Sequence, residues 1–229
     1  MRVNLVYGDT PIVLVAPHGV MGDDDYTDTI TELAAKHLDA YAVINFGWSR
    51  GEVVDASRGI ANLNSVKHCK SKEVRKEFLE PLAFMVDNVV RSYKRAHVFY
   101  IHGMGNYVRS IVKSQIDVIL GYGEGDPPSY TCDKKYKDEF AYRLKKFGLS
   151  VYQGGAGGKF SARSKDNLCQ FFRQHKPDNR VNSIQIEIIN GMRDSVGTAK
   201  RTAKTISQAI SDFIYKNVTV PHGFVIPEI

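Results

Sequence analysis

Short apolar runs of strand length alternate with stretches of helical period along most of this chain, and that alternation restricts the fold more than any other feature. VNLVY (3–7), IVLVA (12–16), AYAVIN (40–45), HVFYIHG (97–103), QIDVILGYG (115–123), LSVYQ (149–153) and SIQIEII (183–189) read as strands. Between them, residues 28–38 place Ile30, Leu33, Ala34 and Leu38 on one helical face. Residues 73–95 do the same with Phe78, Leu82, Met85, Val86, Val89 and Val90, with Pro81 as a kink position. Residues 134–146 form a helix closed by Gly148, and 166–175 a short one. Residues 198–215 form the last helix, with Ala203, Ile206, Ala209, Ile210 and Phe213 inward. Strands alternating with helices predict an α/β fold: a central, largely parallel sheet covered by helices on both faces. The 229 residues show no repeat and no linker, so a single domain over 1–229 is expected.

In such folds ligands gather beyond the carboxyl ends of the strands. The residues just after each strand are therefore the ones to read. IVLVAP delivers His18, which is followed by Asp23, Asp24 and Asp25. HVFYI delivers His102, and the last strand carries Glu187. AYAVIN leads into RGEVVDASR, with Arg50, Asp55 and Arg58.

Two strand-end histidines and a carboxylate make a common catalytic zinc set, three protein ligands leaving the fourth position open. The alternative for the acidic run is a solvated turn that caps the next helix, with Thr27 as a competing cap. Glu187 shares a strand face with Ser183 and Gln185, opposite Ile184, Ile186 and Ile188. A carboxylate in a sheet covered on both faces is costly without a task or a partner. The readings are a buried ion pair or a general base. Arg50 and Arg58 suit bidentate recognition of a carboxylate, or a surface ion pair with Asp55.

YQGGAGGKF (152–160), with Gly154 and Gly155, fits neither phosphate-loop pattern and reads as a lid or substrate loop. Cys169, in LCQFF, reads as an inert buried thiol rather than a nucleophile. His37, His68, His97, His175 and His222 carry no partner pattern.

Composition narrows the class further. The apolar fraction is 43% and the charged fraction 24%, ordinary for a globular protein, and no apolar run is long enough to span a membrane. The start, MRVNLVYGD, lacks the apolar core of a secretory signal. Three dispersed cysteines argue for a reducing compartment, so a cytoplasmic protein is expected. The net charge of +6 is scattered and accompanied by no nucleic-acid motif. It suits a cleft that attracts a small anionic substrate, and neither nucleic acid nor a membrane is expected as a partner.

Together these pieces resemble the N-formylglutamate amidohydrolase family. The likeness rests on APHG (16–19), DDDYTD (23–28), SRGEVVDASR (49–58), IHGM (101–104), IDVILG (116–121), YQGG (152–155) and IQIEI (184–188), in that order. The resemblance implies the fold of the zinc-dependent exopeptidases, a mixed sheet wrapped by helices. It implies a metal, zinc or another divalent ion, held by His18, one acid and His102. Alignment on the Tyr-Thr-Asp before the helix favours Asp24, with Asp23 and Asp25 as rivals and Asp28 at the helix start. It makes Glu187 the catalytic carboxylate. Arg50 and Arg58 become the arginines that meet the substrate's carbonyl or carboxylate; beside them, Asp55 and the loop glycines Gly154 and Gly155 are expected as further substrate contacts. The implied reaction is hydrolysis of an N-acyl amino acid or a carboxylate-bearing peptide-like amide. A poly-γ-glutamate or carboxypeptidase-type hydrolase would share these motifs. So would a catalytically silent relative that binds an anionic ligand, for which Ser57, standing where the family usually has Asn, speaks.

Overall fold

Every residue of β2 (Ile12–Ala16) is buried, and its side chains alternate between two separate cores. Ile12, Leu14 and Ala16 pack into one core with Ile30, Ala34, Phe140, Ile206 and Phe213. Val13 and Val15 pack into the other with Leu82, Met85, Val86, Val89 and Phe172. A strand buried on both faces reads as an uninterrupted apolar run, which is why IVLVA shows no polar alternation.

The chain is described here by a computed structural model covering residues 2–50, 53–55, 59–60, 62–67, 69, 71–154, 158–175 and 178–217, with only the backbone considered at 53–55, 59–60, 175, 216 and 217. The other strands are β1 (Val3–Val6), β3 (Tyr41–Asn45), β4 (Val53–Asp55), β5 (Gly59–Ile60), β6 (Ala96–Met104), β7 (Val118–Gly121), β8 (Val151–Gln153) and β9 (Val181–Ile189). The helices are α1 (Thr27–Leu38), α2 (Lys72–Val74), α3 (Glu80–Tyr93), α4 (Val108–Val112), α5 (Lys134–Lys146), α6 (Leu168–His175) and α7 (Val196–Asn217).

Seven strands form one mixed sheet in the order β1-β3-β2-β6-β9-β7-β8, and β4 and β5 form a separate ribbon. β3, β2, β6 and β9 run parallel to one another, and β7 runs parallel to β8. β1 is antiparallel to β3, and β7 to β9. Helices α1, α5 and α7 cover one face through residues such as Ala35, Phe140 and Ile210, while α3 and α6 cover the other. This is the α/β architecture expected, a central mixed and largely parallel sheet between helical layers.

Two local expectations change. The helix over 73–95 contains a π turn, Arg75–Leu79, placed between α2 and α3. Pro81 has no N–H to continue the ladder, and the π turn ends at Leu79, two residues before it. The run 115–123 supplies only four strand residues, β7, which pairs antiparallel with β9 and ends at Gly121. A Cβ on Gly121 would stand 2.2 Å from the Phe160 carbonyl oxygen, so a bulkier residue there would push away the segment that follows the glycine-rich stretch.

Candidate active site

β2, β6 and β9 are parallel, so their carboxyl ends share one edge of the sheet. β2 ends at Ala16, and Pro17 and His18 follow. His102 lies near the end of β6, in register with Glu187 on β9. Aligned residues on parallel strands point to the same face, so sheet pairing alone sets these two side chains next to each other. Gly19 is required for the tight exit: a Cβ there would lie 2.7 Å from both the Asn45 carbonyl oxygen and the Asp28 Cβ.

The acidic loop folds back onto His18. The Asp24 N–H donates to the His18 carbonyl at 3.1 Å, and the Asp23 N–H to Val20 at 3.0 Å. Helix α1 begins after Tyr26, in a left-handed conformation (φ 62°), without a side-chain cap. The capping reading of the acids is therefore not realised. Thr27 uses its hydroxyl to donate to the Asp24 carbonyl at 2.7 Å, and Asp25 Oδ1 accepts from the Gly22 N–H at 2.5 Å. Asp23 and Asp24 turn their carboxylates the other way, toward the histidines.

Two His–Asp pairs result. His18 Nδ1 lies 3.3 Å from Asp23 Oδ2, and His102 Nδ1 lies 3.4 Å from Asp24 Oδ2. The imidazole centroids are 5.4 Å apart. Arg50 joins both acids, 3.0 Å from Asp23 and 3.4 Å from Asp24, with 48% of its side chain exposed. His18 Nδ1 and Asp23 Oδ2 are buried and lack a hydrogen-bond partner, as does His102 Nε2. The 3.3 Å approach thus lacks hydrogen-bond alignment.

Among the described residues no three of these side chains already converge as a metal cage. The donor set nevertheless fits a divalent ion. Neighbouring donors around a tetrahedral zinc with bonds of ~2.0–2.1 Å stand ~3.3 Å apart, the spacing of each pair. His18 Nδ1 and Asp23 Oδ2, buried and facing each other unbonded, are what a cation between them would satisfy, whereas His102 Nδ1 and Asp24 Oδ2 are hydrogen-bonded.

Electrostatics separate the carboxyls. Burial pushes the Asp24 carboxyl up, but the His102 hydrogen bond and charge, His18 and the Gly103 N–H outweigh it and hold it down at about 2. Burial pushes Glu187 well above the usual carboxylate range; Asp24 adds to that push, while Arg50, Arg193 and Gln185 oppose it. Burial lowers His18 despite the Asp23 carboxylate, favouring the neutral imidazole that a metal requires. Two acids side by side are thus driven apart, one held as an anion and one toward the protonated form.

Two supporting residues escaped the sequence reading, and a third, Gln185, was placed beside Glu187 without a role. Asn45, at the end of β3, donates from Nδ2 to the carbonyls of Pro17 and Trp48, both at 2.8 Å. Its Oδ1 accepts from the Trp48 N–H at 2.9 Å, so it ties the His18 turn to the loop that carries Arg50. Arg193 is buried behind the acidic loop and donates to the carbonyls of Asp25 (2.9 Å) and Ile188 (3.2 Å). A Cβ on Gly103 would lie 2.3 Å from its guanidinium carbon, so the glycine beside His102 is what admits this arginine. Gln185 donates to Glu187 at 2.7 Å. The Gln was visible in IQIEI, two residues before Glu187 on the same strand face; Asn45 and Arg193 gave no signal, because their partners are backbone groups.

His18, Asp24, Arg50, His102 and Glu187 line one cleft of about 610 Å³, together with Asn64, Asn167 and Gln185. Gly154 is not among its lining residues; it sits at the end of β8 with φ 85°, packed against Glu124, and the cleft wall is formed further along by Gly158 and Phe160–Arg163. Arg58 and Gly155 lie outside the described residues, as does the side chain of Asp55. Cys169 is fully buried and burial raises its thiol, as an inert core cysteine requires. His97 is buried as well, paired at 2.5 Å with the Tyr136 hydroxyl and pushed down to about 3 by burial.

The fold is shared with N-formylglutamate amidohydrolase. The enzyme of that name from Ralstonia eutropha superposes with a TM-score of 0.61 over 95% of this chain and 99% of its own, at 16% identity. A bacteriophage poly-γ-glutamate hydrolase superposes at 0.54, over 94% and 90%, with 12% identity. A metallo-carboxypeptidase from Burkholderia cenocepacia superposes at 0.53 over 93% of this chain and 61% of its own, with 12% identity. No family description matches the sequence. No curated protein matches it either. Among the described residues no helix is long and apolar enough to cross a membrane.

Proposed function

We infer that the chain is a divalent-metal amidohydrolase acting on an N-acyl amino acid or a carboxylate-bearing, peptide-like amide. The observation that carries this reading is the meeting of His18, Asp24, His102 and Glu187 in one polar cleft at the carboxyl edge of the sheet. His18, Asp24 and His102 would hold the ion, zinc by the preference of a mixed imidazole and carboxylate set. Asp24 is chosen over Asp23 because it lines the cleft with both histidines. Such an ion supplies Lewis acidity and lowers the pKa of a water it binds toward ~7.

The chain's own residues do the rest. Glu187 takes the proton of the attacking water and passes it to the leaving nitrogen. A carboxyl pushed upward suits that double role near neutral pH. Arg50, half exposed beside the acids, donates to the oxyanion that forms at the amide carbon. Arg58, with Asp55, orients the substrate carboxylate. The net charge of +6 favours an anionic substrate, the three dispersed cysteines favour a cytoplasmic enzyme, and the scatter of the charge without a motif speaks against nucleic-acid partners. The structural neighbours lend support, since their names describe hydrolysis at amides of amino acids and peptides.

The test is turnover by the zinc-supplied protein of N-formyl-L-glutamate, other N-acyl amino acids, poly-γ-glutamate and C-terminal dipeptides. Hydrolysis of at least one, abolished by chelation and restored by zinc, is the expected result. Absence of turnover across the panel would overturn the reading.

A further inference from the structure

Glu187 has a polar neighbour whose orientation is set by a chain of amides. Gln185 Nε2 donates to Glu187 Oε1 at 2.7 Å. Gln185 Oε1 accepts from Asn167 Nδ2 at 3.2 Å and from Asn64 Nδ2 at 3.4 Å. Asn167 Oδ1 is occupied by the Cys169 N–H at 2.9 Å. Each link dictates the next. A backbone N–H demands an acceptor, so Asn167 presents its oxygen to Cys169 and its NH₂ to Gln185. Gln185 then accepts on its oxygen and has only donors left for Glu187. The opposite polarity would set the Asn167 NH₂ against the Cys169 N–H at one end and the Gln185 oxygen against Glu187 at the other.

The anchors are firm. Gln185 is buried on β9, two residues before Glu187 and on the same strand face. The two asparagines come from separate loops, joined by a bridge between Ser65 and Asn167 and by the Leu168 N–H donating to the Asn64 carbonyl at 3.0 Å. The Asn64 backbone is held as well, its N–H donating to Asn62 Oδ1 at 3.1 Å.

We propose that Gln185, oriented by Asn167 and Asn64, is a positioning residue for Glu187: it holds Oε1 with a fixed donor, so that Oε2 takes the proton from water. The proposal rests on the reading of Glu187 as general base. It gives the loops at 62–67 and 164–167 a role in catalysis without contact with the reacting atoms.

Two measurements test it. With zinc-supplied protein and N-formyl-L-glutamate, Gln185→Leu should lower kcat ~10–100-fold with KM changed less than ~2-fold, the range typical when an outer partner of a site residue is removed. Asn167→Asp, the same size but unable to donate to Gln185, should show the same split and serves should Gln185→Leu fail to fold. A raised KM with unchanged kcat would make Gln185 a substrate contact and overturn the proposal. Independently of activity, the Gln185 side-chain amide signals in ¹⁵N NMR spectra should be protected from exchange and should move in Glu187→Ala. Signals at free-amide positions, unmoved by that substitution, would overturn the relay itself. A parent protein with no turnover of any amide would instead remove the general base on which the proposal depends.

Discussion

His102 on β6 and Glu187 on β9 occupy the same register of two parallel strands, so the sheet itself, rather than a loop, fixes their separation. A proposed metal ligand and a proposed general base thereby share a rigid frame. Sites built on strands hold their geometry more tightly than sites on loops. The other half of the site, His18 with the acids, rides on a loop clamped by Asn45 and Arg193.

The first prediction concerns Glu187. Glu187→Gln removes the base and keeps the shape and the Gln185 contact region. It should retain metal and lose ~10²–10⁴ in kcat, the usual loss for a general acid–base group. Steady-state kinetics beside metal analysis decides it, and undiminished turnover would remove the assignment.

The same substitution carries a stability consequence. Glu187 is raised above the usual carboxylate range, so folding takes up a proton. The sign is that Glu187 costs no stability below its unfolded value of ~4.3 and costs progressively more as pH rises above it. Metal-free Glu187→Gln should therefore melt above the parent at pH 7, by ~2–4 °C for each kcal/mol recovered, and the gap should close near pH 4. Thermal melts across that interval check it.

Asp24 titrates the other way. Its folded pKa of about 2 lies below an unfolded value of ~3.9, so its stabilising effect is complete above ~3.9 and lost as pH falls through about 2. The full shift corresponds to about 2–3 kcal/mol. Asp24→Asn should erase that pH dependence in the metal-free protein. It should also abolish metal binding, whereas Asp23→Asn should weaken it without abolishing it. Equal loss in both variants would put Asp23 among the ligands.

Gly103→Ala tests the packing behind the site. The new methyl would meet the Arg193 guanidinium, whose displacement leaves the carbonyls of Asp25 and Ile188 without their donor. The expected loss is about 1–3 kcal/mol, with a larger fall in kcat than a surface substitution of equal ΔTm would give. Differential scanning calorimetry and kinetics on the same samples measure both.

The sheet was legible in the sequence because strands buried on both faces leave apolar runs, as at Ile12–Ala16, and because the covering helices repeat at helical spacing, as along α7. The strand-end rule then picked out His18, His102 and Glu187, which the structure brings to one cleft with Asp24 and Arg50. What stayed hidden depends on tertiary partners. The antiparallel sense of β7 follows from its seat beside β9, and nothing within IDVILG encodes it. Arg193 bonds to carbonyls, which every residue type carries. Gly154 looked like a substrate contact because it is a glycine in a loop, yet its positive φ and its packing on Glu124 account for it.

The central claim is that His18, Asp24 and His102 hold a divalent ion. Elemental analysis of the purified, untagged protein beside His18→Ala/His102→Ala tests it most directly. The account predicts about one zinc or other divalent ion per parent chain and none in the double variant. A parent chain that holds no metal even after incubation with zinc would contradict it, and would leave a cleft that binds an anion through Arg50 without cleaving it.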